Sequence, residues 1–378
     1  MKRHFATGVV FLLAAVALNA GTKVDCAKGE SINVALSKLK KSDVNVVNVS
    51  GTCAEDVTIE GFDNLRLVAD GPAVLTPATA SSKRVLLVNA SRLVTVDGFA
   101  VNIAGPQTWV AEYNDGSGCA MTNLTVTGGG GVRLQRSSNV AITDVAFHNA
   151  FIGIIVGNGC QADIRGVTIE FTPPGTGNIG IAVFSGSTAF VEGTSISGYN
   201  TGALASGGEF FVPGLGIFDT ARPVVIEHNR IGVSSGAGGF VQFSGSTQVK
   251  NNGNGGDLTG GVVVNGGFLG AAANIPALGS IEISDNNGQG VLVMNNGTIS
   301  IVGSAAFVRN NHLNGVAVVN GAVSAFQSGA NVTGNGAKDI FCDDRSLVTG
   351  SAAVVGATKV QCTNMLPGAL PPMPHPAP

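Results

Sequence analysis

Charge is what this 378-residue chain has least of: Asp, Glu, Lys and Arg make up 12% of it, about half the usual share of roughly 25%. With a formal net charge of -3 and no run of Lys or Arg, it carries no electrostatic footprint for nucleic acid. Aromatic polar residues are scarce too, with one tryptophan and two tyrosines. No Cys-x-x-Cys pair occurs, which leaves zinc and redox readings weak. Beyond the N-terminus no apolar run reaches the ~18 residues of a membrane helix. The low charge is joined to 44% hydrophobic residues, a balance that buries enough apolar surface to exclude global disorder. Glycine is abundant, with 55 residues, but lacks the triplet period of collagen.

Residues 1–20 read as a secretory signal. Lys2, Arg3 and His4 form a basic start, Gly8 to Leu18 an apolar core too short for a span, and Ala17 and Ala20 supply small residues for cleavage. The mature protein is therefore expected to be secreted or periplasmic. Cys26 follows Val24-Asp25 rather than a run of small and apolar residues, so no lipid attachment is expected there. All six cysteines fall in the mature part, where disulfides are permitted. Cys26 with Cys53 and Cys342 with Cys362 are the expected pairs, since each is local and sits at one end of the chain. Cys119 and Cys160 are expected to stay unbridged, because two coils of separation is roughly 10 Å, beyond the reach of a disulfide.

From residue 131 a glycine followed by mainly apolar, β-branched residues recurs: Gly131-Val-Arg-Leu, Gly153-Ile-Ile-Val, Gly180-Ile-Ala-Val, Gly202-Ala-Leu-Ala, Gly239-Phe-Val-Gln-Phe, Gly261-Val-Val-Val, Gly290-Val-Leu-Val and Gly315-Val-Ala-Val. A base interval of roughly 22–25 residues with occasional insertions is the mark of a stacked solenoid. A second strand follows in each unit, as in Asn139-Val-Ala-Ile-Thr and Thr298-Ile-Ser-Ile, with alternate residues apolar. Three short strands fit each unit and no helix-length segment separates them. Asn149, Asn200, Asn287 and Asn311 precede glycine motifs and are expected to stack as a ladder of turns. Earlier segments such as Val46-Val-Asn-Val, Leu65-Arg-Leu-Val and Leu93-Val-Thr-Val read as strands as well. Ser31 is placed to cap a helix running to about Lys41, with Ile32, Ala35, Leu36 and Leu39 on one face, a lid for the open solenoid end.

The capping helix, the coil period and the asparagine turns resemble the right-handed parallel β-helix of the pectin lyase-like superfamily over about residues 25–362. The expected fold is all-β, a right-handed single-stranded parallel β-helix with an N-terminal capping helix. Its expected divisions are a signal at 1–20, a cap at 21–44, the β-helix at 45–362 and a Pro-rich flexible tail at 363–378. The resemblance implies enzymes that degrade or remodel acidic polysaccharides in a groove along one outer sheet, using carboxylates, basic residues and sometimes Ca²⁺. If the second residue after each glycine points outward, the column is Arg133, Ile155, Ala182, Leu204, Val263, Leu292 and Ala317, omitting the Phe240 unit. That is an apolar stripe with one charge. It is covered by insertions, serves as an oligomer contact, or faces the other way.

A second column, Thr143, Arg165, Glu192 and Glu227, sets two carboxylates near the separation of a retaining glycosidase, although solvated outer residues are the plainer reading. Asp343, Asp344 and Arg345 read as capping and turn residues. The Gly105–Gly118 loop holds Trp109, Glu112, Tyr113 and Asp115, a flat aromatic face beside carboxylates, as a glycan subsite needs. Arg133 and Arg136, about one coil on, are placed to neutralise a sugar acid. These six are the candidate substrate-binding residues. The insertion from Gly207 to Pro223, with Glu209, Phe210, Phe211, Phe218 and Asp219, is a second wall, its phenylalanines better suited to covering the stripe. No catalytic triad, phosphate loop or EF-hand is present and the histidines lack metal-ligand spacing, so no cofactor and no metal site are expected. The leading reading is an exported protein that binds extracellular or cell-envelope polysaccharide, with no catalytic centre assigned. The alternatives are a lyase, hydrolase or epimerase acting on a uronate-containing glycan, and an adhesin-like surface protein that oligomerises through its apolar stripe.

Overall fold

Gly153, Gly180, Gly202, Gly232, Gly261 and Gly290 lie in one column, and a Cβ on any of them would stand 2.4–2.6 Å from the carbonyl oxygen of the glycine in the next coil. Only a residue without a side chain admits backbone to backbone that closely. The computed structural model in which they stack describes residues 21–213, 222–273 and 279–368. Thirteen strands, one per coil from Val57–Glu60 to Val360–Gln361, form one wall. The rest form a 25-stranded sheet around the other two sides, as where Asn139–Thr143 bends at Asp144 (φ 53°) into Ala146–His148. Neighbouring coils pair in parallel, for example Val132↔Ile154↔Ile181↔Ala203. The molecule is thus the all-β parallel solenoid that the repeat predicts.

The strand period puts alternate residues inside. Val132 and Leu134, Ile154 and Val156, Ile181 and Val183, and Val291 and Val293 are fully buried, each side chain contributing about 1.5–3 kcal/mol by leaving water. One repeat was divided at the wrong glycine. Between Gly202 and Gly261 the wall strand is Ile231–Gly236, with Gly232 in the column, whereas Gly239 precedes Phe240–Phe243 on the next side. Gly232-Val-Ser-Ser is less apolar than Gly239-Phe-Val-Gln-Phe, so the motif alone points to the wrong glycine.

The asparagine ladder exists, but mostly at other positions. Its members are Asn229, Asn252, Asn286, Asn311 and Asn335, all buried. Each Oδ1 from Asn252 onward accepts the backbone and side-chain N–H of the ladder residue one coil earlier, at 2.8–3.2 Å. The glycine column makes the room, since a Cβ on Gly202, Gly232, Gly261 or Gly290 would lie 2.6–2.8 Å from a ladder Nδ2. Of the expected positions Asn311 is a member and Asn287 is one residue off. Asn149 holds a left-handed turn (φ 58°) and accepts from the Thr172 N–H, while Asn200 accepts from Arg230.

At the N-terminal end α1 (Ile32–Ser37) is capped by Ser31 and buries Ile32, Ala35 and Leu36, and Leu39 packs on the core beyond it. The helix stops at Ser37 rather than near Lys41, because the Asn45 amide bonds the Lys40 and Asp43 carbonyls and closes a turn. The Cys26–Cys53 and Cys342–Cys362 disulfides are both present, with Cα–Cα distances of 5.2 and 4.6 Å. Cys119 and Cys160 are free. Cys119 aligns with Val140 and that residue with Ala162, which puts the two thiols two coils apart. The proposed signal, and residues 369–378 of the tail, lie outside the described residues.

Candidate functional site

Near the N-terminal end of the solenoid a polar loop, Thr79-Ala-Ser-Ser-Lys-Arg84, folds against the outside of the thirteen-stranded wall. Asp56 Oδ1 accepts from the Ala78 N–H at 3.0 Å and Thr108 Oγ1 donates to the Ser82 carbonyl at 2.7 Å, pinning the loop from both sides. Between loop and wall lies an open groove of about 390 Å³, lined among others by Asp56, Thr58, Thr79, Ser82, Lys83 and Arg84. That volume is in the range of small-ligand sites. The sequence reading missed this groove, whose signal was a run of hydroxyl residues ending in two cations.

The strand Trp109–Asn114 continues the site. Arg84 aligns with Trp109, and its guanidinium donates to the carboxylate of Glu112. Glu112 is 8% exposed, so this ion pair is shielded from solvent on its acidic side. In the next coil Arg133 aligns with Glu112, and its guanidinium carbon sits 5.6 Å from the centre of the Trp109 ring, within cation–π range. Gly130 lets the indole lie close, for a Cβ there would be 3.2 Å from the ring. One carboxylate is thus matched by one guanidinium. Arg133 and Lys83 add positive charge with no carboxylate paired to either among the described residues.

Of the six expected binding residues, the fold brings Trp109, Glu112 and Arg133 together, with Arg84 as the member not foreseen. Tyr113 leaves the set. It alternates inward, is fully buried, and its hydroxyl has no partner; burial, and then the neighbouring Cys119, push its pKa well above 10. Asp115 and Arg136 form an exposed ion pair at 3.2 Å, on left-handed turn residues about 20 Å along the strand direction from Trp109.

The other candidate clusters disperse. Thr143, Arg165 and Glu192 do align, but Glu227 stands on the adjoining side, aligned with Ser197 and Lys250, so the carboxylate pair does not form. Asp343 holds a turn, accepting from the backbone of Asn320 and Arg345. Glu209–Val212 is a strand: Phe210 points into the core and Phe211 packs edge-on to Phe190, 5.7 Å between centroids, on the outer face of the 25-stranded sheet. These phenylalanines therefore do not cover the apolar stripe, and Phe218 and Asp219 lie outside the described residues. The stripe alternates with the inward residues, with Ser234 at the omitted position, yet Ala182, Val263, Leu292 and Ala317 are buried in the single chain. Val263, Leu292 and Ala317 form a cluster of their own with Ile231, Met294, Val319 and Phe341. Among the described residues no group of three or more His, Cys, Asp or Glu is placed to hold a metal ion.

Residues 110–274 match a family model described as a right handed beta helix region. This chain has the right-handed parallel β-helix fold. Two solved structures, a single-mutant and a double-mutant form of the periplasmic alginate epimerase AlgG, align with this β-helix at TM-scores of 0.52 and 0.51. Each is 13% identical and the alignment covers 91% of this chain and 84% of the other. No curated protein matches the sequence. No helix among the described residues of the β-helix is long and apolar enough to cross a membrane.

Proposed function

We propose that this β-helix is an exported polysaccharide-binding protein, with its glycan site on the outer wall running from the groove at Lys83 and Arg84 to the neighbouring Glu112, Trp109 and Arg133. The observation that carries the reading is the placement of Arg133 over Trp109 beside the Arg84–Glu112 pair. An indole face stacks on the apolar face of a sugar ring, the Glu112 carboxylate accepts hydroxyl hydrogen bonds, and the excess of cations suits a sugar carrying a carboxylate. Two disulfides support a location outside the cytosol, secreted or periplasmic.

Alginate, the substrate class of the aligned epimerase structures, is the first glycan to test, beside pectate and an uncharged glucan. Retention of the purified protein on each polysaccharide is expected to favour the uronates, and Trp109→Ala is expected to abolish that preference. Unchanged retention by the variant would remove the proposed site. Following ultraviolet absorbance and reducing ends in the same incubations tests the alternative, a lyase, hydrolase or epimerase, of which epimerisation is read by the uronate composition of the recovered polymer.

A further inference from the structure

Arg133 is held by a neutral acceptor rather than by an acid. Two residues on, past the buried Leu134, Gln135 stands on the same outer face, and its side-chain oxygen accepts from both Nε and Nη2 of the Arg133 guanidinium. The backbone carrying Gln135 is fixed on both sides. Its N–H donates to the Tyr113 carbonyl at 2.8 Å, and its carbonyl accepts from Ser138 Oγ at 2.9 Å. Two charged neighbours could have competed for these groups. Glu112 aligns with Arg133 in the preceding coil, yet its carboxylate is engaged by Arg84. Arg136, next in sequence to Gln135, is turned to Asp115 at 3.2 Å.

We propose that Gln135 is a positioning residue that gives this wall its specificity for acidic sugars, holding Arg133 beside Trp109 without neutralising it. The inference rests on the glycan reading above and concerns the charge at that site. An amide oxygen and a carboxylate oxygen at the end of the same side-chain length accept the same two N–H groups, but only the carboxylate cancels the cation. A guanidinium fastened through its Nε–Nη2 edge has less freedom left to lose when a ligand arrives. Its Nη1 donors stay available to the carboxylate of a sugar. With a carboxylate at position 135 the wall would match each of its two guanidiniums with an acid, and the attraction for a uronate would go. A neutral glucan would not register the difference, so the amide is what separates the two classes of glycan.

The test compares Gln135→Glu and Gln135→Ala with the wild-type full chain by two readouts. The first needs no glycan. The single tryptophan is half-buried and its emission reports the local charge. Quenching by iodide at low ionic strength, taken relative to neutral acrylamide, is expected to fall about twofold in Gln135→Glu and to stay near wild type in Gln135→Ala, which keeps the cation. The second is the ratio of retention on alginate to retention on an uncharged glucan, expected to fall about fivefold in Gln135→Glu through lost charge and about threefold in Gln135→Ala through lost placement. Iodide quenching in Gln135→Glu equal to wild type would overturn the proposal, since the charge beside Trp109 would not depend on the residue holding Arg133. A wild-type retention ratio in Gln135→Ala would overturn it too, and does so even if Gln135→Glu fails to fold by circular dichroism. Quenching that falls in Gln135→Glu while the wild type shows no preference for alginate would support the hold on Arg133 and overturn the glycan reading.

Discussion

Asn335 donates both its backbone and its side-chain N–H to one oxygen of the Asp339 carboxylate, at 3.1 and 3.0 Å. The ladder that runs through five asparagines therefore ends on an acid. The other Asp339 oxygen accepts from the backbone N–H groups of Thr358 and Lys359, at 2.9 and 3.1 Å, tying the ladder to the last coil. In Asp339→Asn the new amide has to present its NH₂ to N–H donors on one side or the other. A loss of about 2 kcal/mol is expected in chemical unfolding.

The same carboxylate makes stability depend on acid. Burial raises the Asp339 pKa, but the hydrogen bonds from Thr358, Asn335 and Lys359 more than reverse this and hold it below the ordinary 3.8. A group whose folded pKa is depressed contributes stability that is fully present above the unfolded value and lost as pH falls through the folded one. The gap between wild type and Asp339→Ala is therefore expected to be constant from neutrality down to about pH 4 and to narrow below it. A gap that stayed constant through that lower range would show that the charge of Asp339 plays no part.

Gly232→Ala tests why glycine heads each repeat. The added Cβ would meet the Gly261 carbonyl oxygen at 2.5 Å, Val249 at 2.7 Å and the Asn252 amide at 2.8 Å. None of these is the free end of a flexible chain. The variant is expected to lose about 2–3 kcal/mol through overpacking and a displaced ladder, whereas Gly238→Ala, with open space around it but φ of 74°, pays only the strain of a left-handed turn.

These two residues also show how much of the molecule was legible. The column Arg133, Ile155, Ala182, Leu204 could be aligned from sequence because each strand fixes its own facing through alternation, and that rule is local. The ladder was not, since which asparagine turns inward depends on the length of the preceding insertion. Asn286 and Asn287 are indistinguishable until the coil is closed. Tyr113 was misplaced for a related reason. Its strand begins at Trp109, an outward residue, and both Val110 and Ala111 are buried, which shifts the alternation so that Glu112 points out and Tyr113 in. Arg84 and the groove came from a loop whose polar composition reads as an ordinary turn until it is seen folded onto the wall.

Thiol reactivity separates the two unbridged cysteines from a catalytic role. Burial pushes the Cys119 thiol up to about 12 and raises that of Cys160, whose sulfur accepts the Ser138 N–H at 3.3 Å. A nucleophilic cysteine needs the opposite shift. The native protein is expected to show essentially no reaction with a thiol reagent at pH 8, and two thiols per chain once unfolded with its disulfides intact. Rapid modification of the native protein would contradict the placement of a buried Cys160 and a partly buried Cys119.

The two arginine pairs, Arg133 with Trp109 and Arg136 with Asp115, give the sharpest internal control for the glycan site. Both arginines lie in the same coil and an approach based on overall charge treats them alike. Their surroundings differ. Arg133 covers the indole beside a shielded carboxylate, so removing it takes away a cation held where the sugar would stack, while Arg136 and Asp115 are mutually paired in open solvent and screened by salt. Arg133→Ala is expected to weaken uronate retention about tenfold, the equivalent of about 1.4 kcal/mol, and to alter the emission of the single tryptophan. Arg136→Ala is expected to leave both within about twofold, since an exposed pair contributes little. Equal losses from the two substitutions would mean that the protein attracts uronates by its field alone, with no seat at Trp109.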